Sequence, residues 1–256
     1  MQMESLVNFL NELLDLSRQT ILPYYADSGL LIENKEDATP VTLADRETER
    51  VLREKIRERH PEHGIIGEEF GSERSQAEFV WVIDPIDGTK SFITSVPLFG
   101  TLICLLKDGQ PILGAIDQPI LEQRMIGNGI ETTLNGQPVR VRETGSLAEA
   151  TLLTTDTLKP KRLWDSDAWD DLTSRVRLYR TWGDCYGYLL LASGKADIMI
   201  DPIVAKWDFL PLIPIIRGAG GIITDWEGND PAEGNSIIAA TAGIHADIIR
   251  IINPDS

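Results

Sequence analysis

Two carboxylates three residues apart, Asp84 and Asp87, stand in the stretch Trp81-Val82-Ile83-Asp84-Pro85-Ile86-Asp87-Gly88-Thr89. An apolar run, Phe79 to Ile83, leads into them with the pattern of a buried strand. A carboxylate pair at the exposed end of such a strand invites a hard cation, which takes oxygen ligands. Pro85 stiffens the turn, and Gly88 allows backbone to come close to a ligand. A helix starting near Thr89 would set Asp87 beside its N-terminus, where backbone N–H groups hold an anion. One turn thus offers carboxylates for metals and amides for a phosphate.

Three further acidic pieces belong beside that turn. They are Asp45 in Thr42-Leu43-Ala44-Asp45, the pair Glu68-Glu69 after Gly67, and Asp208 in Trp207-Asp208, followed ten residues on by Gly218-Ala219-Gly220-Gly221. Each has an ordinary reading. Thr42 and Asp45 can form a plain capping box, Glu68 and Glu69 can be solvated loop acids, and Asp208 can be an N-cap.

Hydrophobic periodicity supplies the elements that must carry these residues. The spacing predicts a helix over 5–22 ended by Pro23, a polar loop over 27–40, and a second helix from Thr42 to about Arg59. Ile65 and Ile66 read as a short strand end delivering Glu68. Strands 98–107 and 111–120 meet across Asp108-Gly109, and Asn135-Gly136 turns between strands 131–134 and 138–142, with another strand over 123–127. The small, polar stretch 142–150 reads as the boundary between two halves. Beyond it the pattern predicts a strand at 151–155, a loop with one helix over 159–174, and a strand at 176–179. A helix follows over 183–193, with Gly194 past its end. A strand over 196–200 then ends at Asp201. Asp208 is expected to open one helix through Arg217, bent or weakened by Pro214. Strands at 222–224 and 237–240 and a helix at 244–252 complete the chain.

The four motif pieces, in this order, resemble the inositol monophosphatase family of magnesium-dependent, lithium-sensitive phosphatases. The resemblance runs from about residue 5 to 240. Within that family Lys90-Ser91-Phe92-Ile93-Thr94 and Trp182-Gly183-Asp184-Cys185-Tyr186 are most similar to the histidinol-phosphate phosphatases. Leu210-Pro211 departs from the small residues that usually follow the family's tryptophan-aspartate pair.

The resemblance implies an α/β fold, a layered αβαβα sandwich acting as a homodimer. Residues 1–145 would form the half with most metal ligands. Residues 146–256 would form the half with Asp208 and the substrate-selecting residues. It implies two or three Mg²⁺ ions held by Glu68, Asp84, the Ile86 carbonyl, Asp87 and Asp208. It implies catalytic roles for Asp45, Thr89 and Glu68, with Asp45 and the Thr89 hydroxyl helping to activate the attacking water. Asp87, Gly88, Thr89, Gly183, Asp184, Cys185, Asp201 and Asp208 are then the expected substrate contacts. Asp184 and Asp201 are candidates to meet the ammonium or imidazole of histidinol phosphate, with Gly183 leaving room. Their ordinary readings are an N-cap for Asp184 and a turn acid before Pro202 for Asp201. Asp84-Pro85-Ile86-Asp87-Gly88-Thr89 also resembles the nucleophile loop of haloacid-dehalogenase-type phosphatases. There, however, the acids are two apart and the loop lies near the N-terminus.

Composition narrows the partners. The 256 residues carry a net charge of −16, with 42% apolar and 25% charged residues. Such a surface repels a nucleic-acid backbone. No run of 18 apolar residues suggests a membrane span. The start of the chain lacks the basic residues of a signal peptide, and two cysteines make no disulfide framework, so a reducing cytoplasm is expected. Only three histidines occur, none near the motifs, which argues against a phosphohistidine nucleophile and against a metal site built mainly of imidazoles. The expected partner is a small phosphate monoester.

Overall fold

The computed structural model describes residues 3–26, 32–34, 40–202 and 204–254. Its centre is the strand Phe79–Asp87, whose side chains alternate between two cores. Trp81 and Ile83 face one way, against Leu6, Phe9, Leu10, Leu13 and Leu14 of the helix Met3–Ile21 and Leu52 and Ile56 of the helix Leu43–Arg59. Val80 and Val82 face the other way, against Leu189 and Leu191 of the helix Asp184–Ala192 and Ile215 and Ile216 of the helix Leu212–Gly218. Full burial of each such aliphatic side chain contributes about 1.5–3 kcal/mol.

This strand sits in an eight-stranded sheet ordered 137–139, 132–134, 123–127, 110–118, 100–107, 79–87, 64–67, 71–73. Only Gly64–Gly67 runs parallel to its central neighbour; the other pairings are antiparallel. A second sheet of five strands is ordered 178–180, 151–154, 198–201, 237–240, 222–224. Its Leu153, Met199 and Ala239 side pack on the two helices that also cover the first sheet. Its opposite side, with Leu152, Ile198, Ile200 and Ile238, packs on Trp169 and Leu172 of the helix Ser166–Arg175 and on Ile244 and Ile248 of the helix Ala242–Ile252. The layers are therefore helix, sheet, helix, sheet, helix, as expected. No helix among the described residues is long and apolar enough to cross a membrane.

Both hairpin turns form where the sequence signals them. Asp108 and Gly109 have φ of 49° and 79°, and Asn135 and Gly136 have 50° and 76°. Two positive φ values in a row match the twist of the flanking strands. The central strand runs further than its apolar stretch: pairing with the strand Gly100–Lys107 slips between Asp84 and Asp87 and resumes at Asp87–Gly100. Pro85, with no N–H to give the ladder, sits inside that bulge.

Three expectations change. The loop over 27–40 lies mostly outside the described residues, and its described parts, Ile32–Asn34 and Pro40–Thr42, pair as two antiparallel strands. Residues 159–174 hold two helices, Lys159–Leu163 and one beginning at Ser166, because the Asp165 carboxylate accepts the N–H groups of Asp167 and Ala168 and starts a second helix. The single helix expected from Asp208 is two, Lys206–Phe209 and Leu212–Gly218. Pro214 lies within the first turn of the second one. It is the third residue, where a helix N–H has no intrahelical acceptor in any case.

Candidate active site

The bulge of the central strand turns Asp84 and Asp87 to the same side, and the short helix Lys206–Phe209 brings Asp208 to meet them. One carboxylate oxygen from each of the three lies within 4.8 Å of the others. Backbone hydrogen bonds hold each acid in place. Asp84 Oδ1 accepts the Ile86 N–H at 3.0 Å, and Asp208 Oδ2 accepts the Ala205 N–H at 3.0 Å. Asp87 Oδ2 accepts the N–H of Cys185. Glu68 follows the strand Gly64–Gly67, and its N–H bonds to the Ile83 carbonyl at 3.3 Å, which sets it beside Asp84. Glu68, Asp84, Ile86, Asp87, Gly88, Thr89, Gly183, Asp184 and Asp208 all line one cavity of about 630 Å³.

These acids are held at a cost. Burial first, then the charges of Glu68, Asp87 and Asp208, push the Asp84 carboxyl well above its usual range. Burial, then Asp184 and Asp208, do the same to Asp87. Burial pushes Asp208 up to about 7, with Glu68, Asp201 and Asp184 adding to it against the Ala205 hydrogen bond. Oxygen donors crowded in this way, with mutual repulsion as their main electrostatic interaction, fit a hard divalent cation.

Comparison with known proteins gives the family. The model of the inositol monophosphatase family matches residues 2–254. The chain belongs to the inositol monophosphatase family. It is 46% identical over 227 residues to the bifunctional phosphatase IMPL2, chloroplastic, of Arabidopsis thaliana, covering 85% of this chain and 63% of that relative's length. It is 37% identical over 246 residues to the histidinol-phosphatase of Chlorobaculum parvum, covering 94% of each. The solved inositol monophosphatase of Zymomonas mobilis superposes with a TM-score of 0.86 at 34% identity, over 99% of both chains.

In this inositol monophosphatase family member the remaining sequence candidates divide. Thr89 opens the helix Thr89–Ile93 after Gly88, which has φ of 85°, and its hydroxyl donates to the Ile86 carbonyl at 3.1 Å. That carbonyl keeps a second lone pair for a further partner. Asp45 is buried, and its Oδ2 accepts from the Thr42 N–H at 2.8 Å and the Thr42 hydroxyl at 2.6 Å, completing the capping box. Burial is the main cause that raises its carboxyl to about 6. No hydrogen bond joins Asp45 to Thr89.

Asp184 carries φ of 51°, a left-handed conformation that a non-glycine residue adopts under constraint. The helix N-cap is Gly183, with Asp184 as the first helical residue, so Asp184 is not the cap. Its N–H donates to Thr155 Oγ1 at 2.9 Å, while its carboxylate faces the cavity, raised to about 6 by burial and then by Asp201. Asp201 differs. Its Oδ1 accepts the Thr155 N–H at 3.1 Å and its Oδ2 the Tyr188 hydroxyl at 2.8 Å. It borders a smaller adjoining cavity with both oxygens already engaged.

Two expected substrate contacts have other work. A Cβ on Gly183 would lie 2.3 Å from Thr155 Cα, so backbone packing, rather than room for substrate, requires glycine there. Cys185 is buried, and its thiol accepts the Gln118 Nε2–H at 3.1 Å. What Cys185 gives the site is its amide on Asp87.

The sequence reading missed several residues. Lys90, Thr155, Asp156 and Lys159 line the main cavity beside Asp184, and both lysines act electrostatically on that carboxylate. Glu49 was also missed. Its signal was its place one helical turn after Asp45 and one before Arg53. A second group, His60, Glu62 and His63, has ligand spacing outside the acidic cluster. However, the Trp81 indole N–H donates to His63 Nδ1 at 3.1 Å, so the ring proton sits on Nε2, which faces Glu62 at 3.3 Å. With its proton there, His63 has no lone pair for a metal.

Proposed function

We propose that this phosphatase hydrolyses histidinol phosphate to histidinol and phosphate. The observation that carries the reading is one cavity that holds both a cluster of oxygen donors and, beside it, a carboxylate outside that cluster. Asp84, Asp87 and Asp208 cluster there as oxygen donors. Beside them, Asp184 holds a carboxylate with no hydrogen-bond partner, on a backbone at φ 51°, where a cationic substrate group can meet it. The 37% identity to a histidinol-phosphatase, over 94% of both chains, supports the same substrate.

In this reading Glu68, Asp84, Asp87, Asp208 and the Ile86 carbonyl hold two or three Mg²⁺ ions. When bound, the ions supply charge neutralisation at the phosphate oxygens and acidify water for attack. The protein does the rest. The free amides at the start of the Thr89–Ile93 helix cradle the phosphate. The proton side of the reaction is assigned to Thr89 and Asp45. The Thr89 hydroxyl lies in the cavity, and a carboxyl raised to about 6, as Asp45 is, can take a proton near neutral pH. Asp184 binds the ammonium or imidazole and so orients the ester. A homodimer follows from the family resemblance, and two buried free thiols suit a reducing cytoplasm.

The similarity to the Zymomonas mobilis inositol monophosphatase favours a second reading, hydrolysis of inositol phosphate or of a related nucleotide 3′-phosphate or sugar bisphosphate. Phosphate release from histidinol phosphate, inositol 1-phosphate, adenosine 3′,5′-bisphosphate and fructose 1,6-bisphosphate separates the two. The proposal expects the highest kcat/KM on histidinol phosphate. A higher value on inositol phosphate rejects it.

A further inference from the structure

Glu49 is completely buried on the helix Leu43–Arg59, yet it is a carboxylate, so its surroundings must account for it. Arg53, one turn further, donates Nε–H to Glu49 Oε1 at 2.7 Å and is itself buried. The remaining acceptor capacity of Glu49 goes to backbone outside its helix. Oε2 accepts the Glu69 N–H at 2.7 Å, and Oε1 accepts the Phe70 N–H at 3.1 Å. Arg53 reaches the same bend from the other side, bonding to the Gly71 carbonyl. The approach is so close that a Cβ on Gly67 would lie 2.1 Å from Glu49 Oε1. Gly67 and Glu49 therefore specify each other.

The segment gripped in this way, from Gly67 to Gly71, carries Glu68. On its other side the Glu68 N–H is tied to the Ile83 carbonyl, one residue before Asp84. Glu68 thus has its backbone fixed from two directions, by the central strand and by a buried ion pair on a separate helix. An ordinary buried ion pair could bridge any two surfaces. This one spends both carboxylate oxygens on the two amides that follow Glu68.

We propose that Glu49, charge-balanced by Arg53, is a positioning residue for Glu68, setting that side chain's place relative to Asp84 and hence the protein's affinity for divalent metal. The inference rests on the proposed role of Glu68 as a metal ligand. Partners that orient a ligand typically change metal affinity about ten- to a hundredfold when removed.

The test uses Glu49→Asp, which keeps the charge opposite Arg53 but draws the carboxylate back by one methylene from the Glu69 and Phe70 amides. Should that variant fold poorly, the paired Glu49→Gln/Arg53→Met change removes both charges together and leaves no unpaired ion in the core. Direct titration of the metal-free proteins with Mn²⁺, read by calorimetry, should show affinity weakened by about tenfold or more. Hydrogen exchange at the Glu69 and Phe70 amides should accelerate, and kcat at saturating metal should stay within about threefold of the parent value. Unchanged Mn²⁺ affinity with only a lower Tm would make the pair a structural bridge and overturn the proposal. Glu68→Gln, titrated in parallel, separates the two ideas. If it weakens Mn²⁺ while both Glu49 variants do not, positioning fails and the ligand reading stands. If Glu68→Gln leaves Mn²⁺ affinity unchanged, the ligand reading fails and takes the positioning role with it.

Discussion

The backbone N–H of Cys185 donates to the carboxylate of Asp87, 98 residues earlier in the chain. The donor is the second residue of the helix Asp184–Ala192, and the acceptor sits where the bulged central strand re-enters its ladder. One contact thus joins the two sheets' halves of the molecule at the acidic cluster. It also places the cavity-facing carboxylate of Asp184 one residue from the group that steadies Asp87. The proposed substrate-selecting and metal-holding parts of the cavity are therefore built from adjoining backbone.

Three neighbouring acids, Glu68, Asp87 and Asp208, act on the buried Asp84 carboxyl. Replacement by asparagine keeps an oxygen for the Ile86 N–H, so the turn should survive while the charge is lost. Asp84→Asn is expected to lower kcat by roughly 10³-fold or more at ordinary Mg²⁺, since metal stabilisation of the reacting phosphate is worth several kcal/mol and each 1.36 kcal/mol is tenfold. Steady-state phosphate release measures this. A near-parental kcat would remove Asp84 from the metal set.

Thr89 and Asp45 are assigned a shared role, yet each is hydrogen-bonded elsewhere, to Ile86 and Thr42. Thr89→Val should lower kcat by roughly 10²-fold, the size of a lost general-base relay, with little change in metal affinity. Asp45→Asn distinguishes a relay from a helix cap. A fall in kcat similar to that of Thr89→Val supports the relay. A lower Tm with kcat unchanged leaves Asp45 as the cap of its helix and nothing more.

The site was legible in sequence where a short segment carries its own geometry. The Asp84–Thr89 turn and the two hairpins need only local residues, and all appear where the spacing puts them. The five-layer fold was legible only through the family resemblance; the structure supplies its physical basis, since Trp81 and Ile83 alternate with Val80 and Val82 and each pair has its own apolar cover. Glu49 was missed because its meaning lies in two amides 20 and 21 residues away, and an acid followed by an arginine four residues on reads as a solvated helix face. The partners of Asp201 were not legible for the same reason: nothing local announces that Thr155 and Tyr188 engage both of its oxygens. The split of the 206–218 helix depended on where the chain must turn to bring Asp208 to Asp84, which propensity does not report.

Metal-free protein should lose stability as pH rises. A carboxyl whose pKa is higher in the folded than in the unfolded state binds more protons when folded, so stability falls from the unfolded value upward to the folded one. For Asp208 that window runs from 3.8 to about 7, and for Asp45, Asp184 and Asp201 from 3.8 to about 6. The cost of burying these charges, with their mutual repulsion added, is then present for these four groups at pH 8 and largely absent near pH 4. The three histidines, whose pKa values burial lowers, act in the opposite sense below 6.5, but equally with and without metal. The quantity to measure is therefore the gain in Tm from millimolar Mg²⁺ over EDTA. At a hundredfold excess over Kd it should be roughly 5–10 °C at pH 8 and clearly smaller at pH 5. An equal gain at both pH values, or none, would count against the acidic cluster as the metal site.

The proposed substrate choice is tested by the contrast between Asp184 and Asp201. Histidinol phosphate brings an ammonium group and an imidazole; glycerol phosphate brings only hydroxyls. The carboxylate of Asp184 is without a hydrogen-bond partner, lines the cavity, and is held at φ 51° by a helix whose N-cap glycine is packed on Thr155. A hydrogen bond to a charged group contributes about 1.5–3 kcal/mol. Asp184→Asn should thus lower kcat/KM for histidinol phosphate roughly ten- to a hundredfold while changing glycerol phosphate turnover little. Lys90 and Lys159 act on the same carboxylate, so the loss should shrink at high ionic strength, where the parent's own advantage is screened. Asp201→Asn should behave differently. Its oxygens hold the Thr155 N–H and the Tyr188 hydroxyl, so the amide's NH₂ would face a donor, and a lower Tm should accompany similar losses on both substrates. If Asp184→Asn instead reduces both substrates equally, Asp184 acts through Cys185 and Asp87 on the acidic cluster, and selection of the cationic substrate lies elsewhere in the cavity.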